Sequence, residues 1–126
     1  MRAIDTNILP QLLARDDARQ TAAAEAFVVE GAWVSQLVLA ETIWVLSAVY
    51  GRTPSQLIAA LKGLLSHRLL SIQDSETVAA ALAHFKRRPS LEFPDCLVLE
   101  IARKAGHVPL GTFDKALANL PQAQHV

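Results

Sequence analysis

The segment Arg2-Ala3-Ile4-Asp5-Thr6-Asn7 passes from a short strand-like run into a carboxylate, a hydroxyl and an amide. An apolar helical pattern follows, with Pro10 in the first turn, where proline is tolerated. A strand that ends in an acid and leads into a helix is the opening of a βα unit. In open parallel sheets the functional site lies outside the carboxyl ends of the strands. Asp5 therefore stands where chemistry is usually carried out, and the alternative is that Asp5 or Asn7 only caps the helix.

The rest of the chain continues this alternation of strands and helices. Short strands are predicted at 32–34, 69–72, 108–110 and 123–126, with helical patterns between them. Such alternation indicates a parallel sheet, and the right-handed crossover rule places helices on both of its faces. The sequence therefore predicts an α/β fold, and its 126 residues are expected to form one domain, 1–126.

Composition limits the possible settings and partners of this chain. The hydrophobic fraction of 52% predicts self-association or a protein partner. The formal net charge of zero gives no general attraction to nucleic acid, so any such contact would use local basic clusters. The single cysteine, Cys96, excludes an internal disulfide and indicates a reducing, cytoplasmic setting. No apolar run is long enough for a membrane span, and no signal-peptide pattern is present.

Glu41 is predicted to lie in the apolar stripe of its helix. Leu37, Trp44 and Val45 are three or four positions away and share its face. A carboxylate there is expected to be partly buried, and it would need a proton, a basic side chain or a metal to neutralise it. The alternative is that Glu41 reaches solvent at the margin of the stripe. Trp33 and Trp44 are expected in the core.

Two further carboxylates, Asp95 and Asp114, stand at predicted helix starts. Each has the alternative role of a plain helix cap. The helix N-terminus is also expected to lower the pKa of Asp95 and keep it ionised. Carboxylates that converge on one crevice repel each other, and Mg²⁺ or Mn²⁺ would relieve that repulsion through oxygen ligands. Without a Cys or His cluster, zinc is a poor alternative.

Four short motifs then occur in a familiar order: Ile4-Asp5-Thr6-Asn7-Ile8-Leu9, Leu39-Ala40-Glu41, Phe93-Pro94-Asp95-Cys96-Leu97 with Ala102-Arg103-Lys104-Ala105-Gly106 after it, and Thr112-Phe113-Asp114. This set resembles the PIN-domain family, in particular the VapC-type toxins of bacterial toxin–antitoxin pairs. The resemblance covers essentially the whole chain. It implies a three-layer α/β/α sandwich whose central, mostly parallel sheet has about five strands. It also implies a Mg²⁺- or Mn²⁺-dependent endoribonuclease that acts as the toxin of a type II pair.

The resemblance assigns roles to two groups of residues. The acidic positions, which would bind metal and act in catalysis, are Asp5, Glu41, Asp95 and Asp114. The polar positions that would help to order the site are Thr6, Asn7 and Thr112. We expect one or two cations to activate water for in-line attack on an RNA phosphodiester.

The family resemblance also implies partners, namely a homodimer and a cognate antitoxin that blocks the site. The antitoxin would lay an amphipathic segment into an apolar groove, with the helix of Glu41 and the leucine stripe 57–65 as possible walls. RNA phosphates could be contacted by the basic cluster Lys86, Arg87 and Arg88. The alternative is that these charges only complement a helix dipole.

The remaining reactive side chains are given structural roles. His67, His84, His107 and His125 share no spacing, so they are predicted at the surface or at helix ends. Cys96 is predicted to be a buried packing residue, because no histidine is placed to activate it.

Two other functions stay open at this point. One is an aspartyl-phosphate enzyme of the haloacid-dehalogenase type, although Asn7 stands where that chemistry needs a second Asp. The other is a catalytically inactive PIN-fold binding module. Intact acidic positions argue against such a module, because an inactive site need not keep carboxylates that repel each other.

Overall fold

The computed structural model describes residues 1–126. Its five strands are β1 (Arg2–Ala3), β2 (Ala32–Val34), β3 (Leu70–Ile72), β4 (Leu110–Thr112) and β5 (Ala123–His125). Its seven helices are α1 (Ile8–Ala14), α2 (Ala18–Val28), α3 (Gln36–Ala48), α4 (Pro54–Leu65), α5 (Ser75–Arg87), α6 (Phe93–Ala105) and α7 (Lys115–Ala118). The chain divides into two compact units, Met1–Ser75 and Glu76–Val126.

The first unit is built on a parallel sheet with the order β1-β2-β3. Arg2 pairs with Ala32, and Trp33 pairs with Ser71. Two helices separate each pair of consecutive strands, which lets the chain return and pair in parallel. The Ile4 amide donates to the Trp33 carbonyl at 3.2 Å, so the pairing continues up to the residue before Asp5.

Local signals fix the helices of the first unit. Thr53 and Gln56 form the predicted capping box at the start of α4. The Ser35 hydroxyl accepts a hydrogen bond from the Val38 amide at 3.1 Å and caps α3. The core of the unit includes Leu39, Ile43, Leu46, Leu61 and Leu64, each almost completely buried.

The second unit contains α5, α6, α7 and the parallel pair β4-β5. The rings of Phe85 on α5 and Phe93 on α6 meet edge to face, with centroids 6.2 Å apart. Helix α6 ends at Gly106, whose φ of +83° is the left-handed conformation that glycine adopts without a Cβ penalty.

The structure confirms the predicted α/β class, and every strand pair is parallel. The strands form sheets of three and two, whereas we expected one sheet of about five strands. The strand expected at 108–110 begins at Leu110, just after Pro109, which has no amide to donate to a ladder. None of the helices combines the length and apolar character needed to cross a bilayer. That 1–126 forms one domain stays a prediction.

Candidate functional site

In the first unit, Thr6 connects two carboxylates that are far apart in sequence. Its amide donates to Asp5 Oδ1 at 2.7 Å, and its hydroxyl donates to Glu41 Oε2 at 2.8 Å. Asp5 follows β1, while Glu41 lies on α3. We call Asp5 and Glu41 the N-terminal acidic pair. Asp5 Oδ2 and Glu41 Oε1 have no hydrogen bond within the protein, so each carboxylate keeps one oxygen for a ligand.

The expected burial of Glu41 is wrong. Helix α3 buries the face of Leu39, Thr42, Ile43 and Leu46, and Glu41 is exposed on another face. Apolar residues occur around nearly the whole circumference of α3, so the 3.6-residue period did not identify the buried side.

The tryptophans expected in the core are also exposed. Trp44 retains 59% of its accessible surface and Leu37 retains 68%, on the same side of α3 as Glu41. Trp33 also remains exposed. Glu41 therefore lies in an exposed apolar stripe, and no burial forces its neutralisation.

The alternative that Asp5 or Asn7 only caps helix α1 is wrong. Asn7 is the N-cap residue of α1, but its side chain makes no capping hydrogen bond. The Asp5 carboxylate accepts from Thr6, which precedes that cap. Neither side chain is used to start the helix, so both are available for a ligand.

In the second unit, Asp95 and Asp114 form what we call the C-terminal acidic pair. Asp95 is the third residue of α6 and is half-buried. Burial raises its pKa, and the charges of Glu92 and Asp114 raise it further. The expected lowering of this pKa by the helix N-terminus is therefore wrong, and desolvation is the main cause of the opposite shift.

Asp114 does cap a helix, as the alternative role proposed. Its Oδ1 accepts from the amides of Ala116 at 2.9 Å and Leu117 at 3.2 Å. The Thr112 hydroxyl accepts from the Asp114 amide at 3.0 Å and orders the turn that leaves β4. The second carboxylate oxygen of Asp114 stays free of protein donors, so capping leaves one oxygen for a cation.

Whether the candidate residues can bind a metal ion depends on which donor atoms lie close together. No three His, Cys, Asp or Glu side chains lie close enough together in this structure to form a ready metal centre. What the structure does bring together is two acidic pairs, each with free carboxylate oxygens and an adjacent threonine hydroxyl. Oxygen donors of this kind suit Mg²⁺ or Mn²⁺ better than zinc, which is usually bound by cysteine and histidine as well. That all four carboxylates serve one site stays a prediction.

Sequence reasoning did not identify a buried cluster of ionisable residues on α5 and α6. His84 Nε2 lies 2.9 Å from Glu100 Oε1, and each residue retains only 7% of its surface. Arg103 Nε lies 3.2 Å from Glu100 Oε2. His84 is therefore not at the surface, although it lies in the last turn of α5, at one of the helix ends predicted for the histidines. Glu100 is spaced three and four residues from Leu97 and Cys96, so the stripe argument used for Glu41 would have found it.

The remaining candidates are placed as follows. Lys86, Arg87 and Arg88 are all exposed at the end of α5, and their contact with RNA stays a prediction. Cys96 is fully buried, as predicted, and burial raises the pKa of its thiol to about 11. A neutral, buried thiol is a packing group and not a nucleophile.

Comparison with known proteins gives one match. The model of a family described as "PIN domain" matches residues 3–122, which include both acidic pairs. No curated protein and no solved structure matches the chain at a significant level.

Proposed function

Because the chain belongs to the PIN-domain family, whose members are generally nucleases, we propose that it is a Mg²⁺- or Mn²⁺-dependent endoribonuclease. We propose further that it acts in the cytoplasm as the toxin of a type II toxin–antitoxin pair. The observation that carries the nuclease proposal is the double contact of Thr6 with Asp5 and Glu41.

That contact gives the site an ordered set of oxygens. The short Thr6 hydroxyl bond to Glu41 is charge-assisted, so it fixes the carboxylate more firmly than a neutral bond would. The backbone amide of Thr6 fixes Asp5 in the same way. Thr6 thus orients both carboxylates and leaves one oxygen of each without a protein partner, so these two oxygens can bind a cation.

PIN-domain nucleases generally use divalent metals. The residues that would hold the cation are Asp5, Glu41, Asp95 and Asp114. When bound, such an ion supplies a water of lowered pKa and stabilises charge on a phosphoryl group. Thr112 keeps Asp114 in place, as Thr6 does for the N-terminal acidic pair.

RNA binding would be supported by the exposed cluster Lys86, Arg87 and Arg88. Three adjacent positive charges at a helix end can contact phosphates without reading sequence. The double variant Arg87→Ala/Arg88→Ala is expected to weaken RNA binding and to reduce its salt dependence. An unchanged salt slope would assign the cluster to the helix dipole alone.

The antitoxin and homodimer belong to the same proposal. Exposed Leu37 and Trp44 on either side of Glu41 offer an apolar stripe with an acid at its centre. An amphipathic segment that carries a basic side chain would fit this stripe. In the leucine stripe of α4, Leu57, Leu61 and Leu64 are buried within the first unit, so Ile58 and Leu65 at its half-buried margin are left to form the other wall.

Cleavage of RNA by purified protein tests the nuclease proposal. We expect cleavage with Mg²⁺ or Mn²⁺, none with EDTA, and a loss of about 100-fold or more in Asp5→Asn and Asp95→Asn. Glu30→Gln removes an exposed carboxylate outside both pairs and is expected to cleave like the wild type. Equal cleavage by wild type and Asp5→Asn would reject the assignment.

Two alternatives make different predictions. A catalytically inactive PIN-fold module would bind no divalent ion at the acidic pairs, so titration of the wild type with Mn²⁺ separates it from the enzyme. The haloacid-dehalogenase alternative is displaced by the family match. Trapping of a phosphoenzyme at Asp5 would restore it.

A further inference from the structure

Arg103 connects helix α6 to residues 119–122, which we call the α7–β5 connector. The Nη2 atom of Arg103 donates to the Pro121 carbonyl at 3.0 Å. Asp95 lies in the first turn of α6 and Arg103 in its last turn, while Asp114 caps α7. The Arg103 hydrogen bond therefore joins the two elements that carry the C-terminal acidic pair.

The guanidinium of Arg103 is itself held by the buried carboxylate of Glu100. Glu100 Oε2 lies 3.2 Å from Arg103 Nε, and Glu100 Oε1 lies 2.9 Å from His84 Nε2 on α5. Because Glu100 retains only 7% of its surface, water competes little for either contact. Both carboxylate oxygens are engaged, so Glu100 fixes the planar guanidinium that reaches Pro121.

The α7–β5 connector is also attached to strand β4. The carbonyl of Gln122, the residue after Pro121, accepts from the Leu110 amide at 2.8 Å, at the start of the β4–β5 pair. Strand β4 leads into the turn that holds Asp114. Arg103 therefore holds the connector next to the strand that places Asp114.

The C-terminal acidic pair benefits from this attachment because its members repel each other. The charge of Asp114 acts on Asp95 across the space between α6 and α7. The chain joins α6 to β4 through residues 106–109, at the end of α6 opposite Asp95. A contact that fixes α6 against the α7–β5 connector therefore opposes separation of the two carboxylates.

We propose that Arg103 is a positioning residue, which holds Asp95 and Asp114 at the separation that a shared divalent cation needs. Arg103 acts through the backbone of the connector, since a guanidinium has no acceptor to offer a metal ion. This inference rests on the proposed function for the role of the two carboxylates as cation ligands. It adds a residue outside the acidic pairs on which that role depends.

Calorimetric titration of the full-length protein with Mn²⁺ tests the inference without RNA. Arg103→Met keeps the apolar stem and removes the guanidinium, and we expect it to bind Mn²⁺ about three- to tenfold more weakly than the wild type, the effect of one hydrogen bond. Loss of a positive charge by itself favours cation binding, so charge cannot explain a weaker affinity. Binding by Arg103→Met as tight as that of the wild type would overturn the inference.

Arg103→Lys separates geometry from charge. Lysine keeps the positive charge, but its single ammonium cannot reproduce contacts that Arg103 makes through two different nitrogens, Nε and Nη2. We expect this variant to bind Mn²⁺ as weakly as Arg103→Met. Wild-type affinity in Arg103→Lys would show that the two-nitrogen contact is not needed, which contradicts the proposed role.

Val28→Ala serves as the control for a general loss of stability. It removes buried apolar atoms from α2 in the first unit, outside both acidic pairs. At a temperature where circular dichroism shows all variants folded, we expect Val28→Ala to bind Mn²⁺ like the wild type. A loss of affinity equal to that of Arg103→Met would assign the effect to destabilisation and refute the positioning role.

Amide hydrogen exchange in EDTA gives a readout that needs no metal. The amides of Ala116 and Leu117 donate to Asp114 Oδ1 and report on how firmly that turn is held. In Arg103→Met we expect them to exchange at least about threefold faster, with the amides of α4 unchanged as the measure of global opening. Unchanged exchange at Ala116 and Leu117, or equal acceleration in α4, would contradict the inference.

The inference and the nuclease proposal can fail separately. If Asp95→Asn weakens Mn²⁺ binding but Arg103→Met does not, the positioning role of Arg103 fails alone. If Arg103→Met weakens Mn²⁺ binding but the wild type cleaves no RNA with either metal, the nuclease proposal fails alone. A wild type that binds no Mn²⁺ would overturn both.

Discussion

Removing His84 should destabilise the protein strongly, because it leaves Glu100 as a buried carboxylate. Glu100 retains 7% of its surface, and only Arg103, at 3.2 Å, would remain to balance its charge. Breaking a buried pair typically costs about 3–5 kcal/mol. We expect His84→Leu to cost about 3 kcal/mol, the low end of that range, because Arg103 stays in place.

The reverse variant should cost less. Glu100→Leu leaves His84 with one unsatisfied ring nitrogen and removes the partner of the more exposed Arg103, so about 1–3 kcal/mol is expected. The double variant His84→Leu/Glu100→Leu should cost at least about 1 kcal/mol less than the sum of the two single variants.

Urea unfolding followed by circular dichroism measures all three free energies. Glu30→Leu removes an exposed glutamate beyond the end of α2 and should stay within about 0.5 kcal/mol of the wild type. If the costs of the two single variants simply add in the double variant, or if His84→Leu costs less than about 1 kcal/mol, His84 and Glu100 are not a coupled, buried pair.

Three other outcomes follow from the site. Burial and the charges of Glu92 and Asp114 raise the pKa of Asp95, so Asp95 ionises at a higher pH in the folded protein than in the unfolded chain. The free energy of unfolding therefore falls as the pH rises from about 4, the usual pKa of an aspartate, through the raised pKa of the folded state. Asp95→Asn should therefore raise the thermal midpoint at neutral pH in EDTA, and the gain should vanish near about pH 3; a lower midpoint at neutral pH would contradict this. Cys96, buried and with a pKa of about 11, should resist a thiol reagent in the native protein and react in urea; rapid native labelling would show that it is accessible. Thr6→Val should reduce RNA cleavage about fivefold, by loss of one exposed charge-assisted bond, with Thr6→Ser as the control that retains activity; a fully active Thr6→Val would remove the role of that bond.

Much of the fold was predictable because its signals are local. The Thr53–Gln56 capping box, the stop at Gly106 and the strand Ala32–Val34 depend on a few neighbouring residues each, and all are found where the sequence places them. The division of the strands into sheets of three and two depends on contacts between distant segments, and no local pattern encodes it.

The candidate site was predictable only in part, because burial of a helix face depends on what packs against it. Helix α3 is apolar nearly all round, so the face of Glu41 was assigned to the core although it is exposed. The same spacing rule would have succeeded for Glu100, because its neighbours Cys96 and Leu97 on α6 are buried. The link from Thr6 to Glu41 spans 35 positions and could be seen only in three dimensions.

The pKa of Asp95 shows a similar limit. A helix N-terminus alone favours the charged carboxylate. Burial and the neighbouring acids act in the opposite direction, and they depend on the folded chain that brings Asp114 within range of Asp95. The position of Asp95 in the first turn of α6 therefore predicted a pKa shift of the wrong sign.

Direct measurement of Mn²⁺ binding tests the central claim that the acidic pairs are cation ligands. Calorimetric titration should show binding to the wild type and at least about tenfold weaker binding to Asp5→Asn and to Asp95→Asn, with Glu30→Gln unchanged. Mn²⁺ binding that is equally strong in the wild type and in both aspartate variants would contradict the claim.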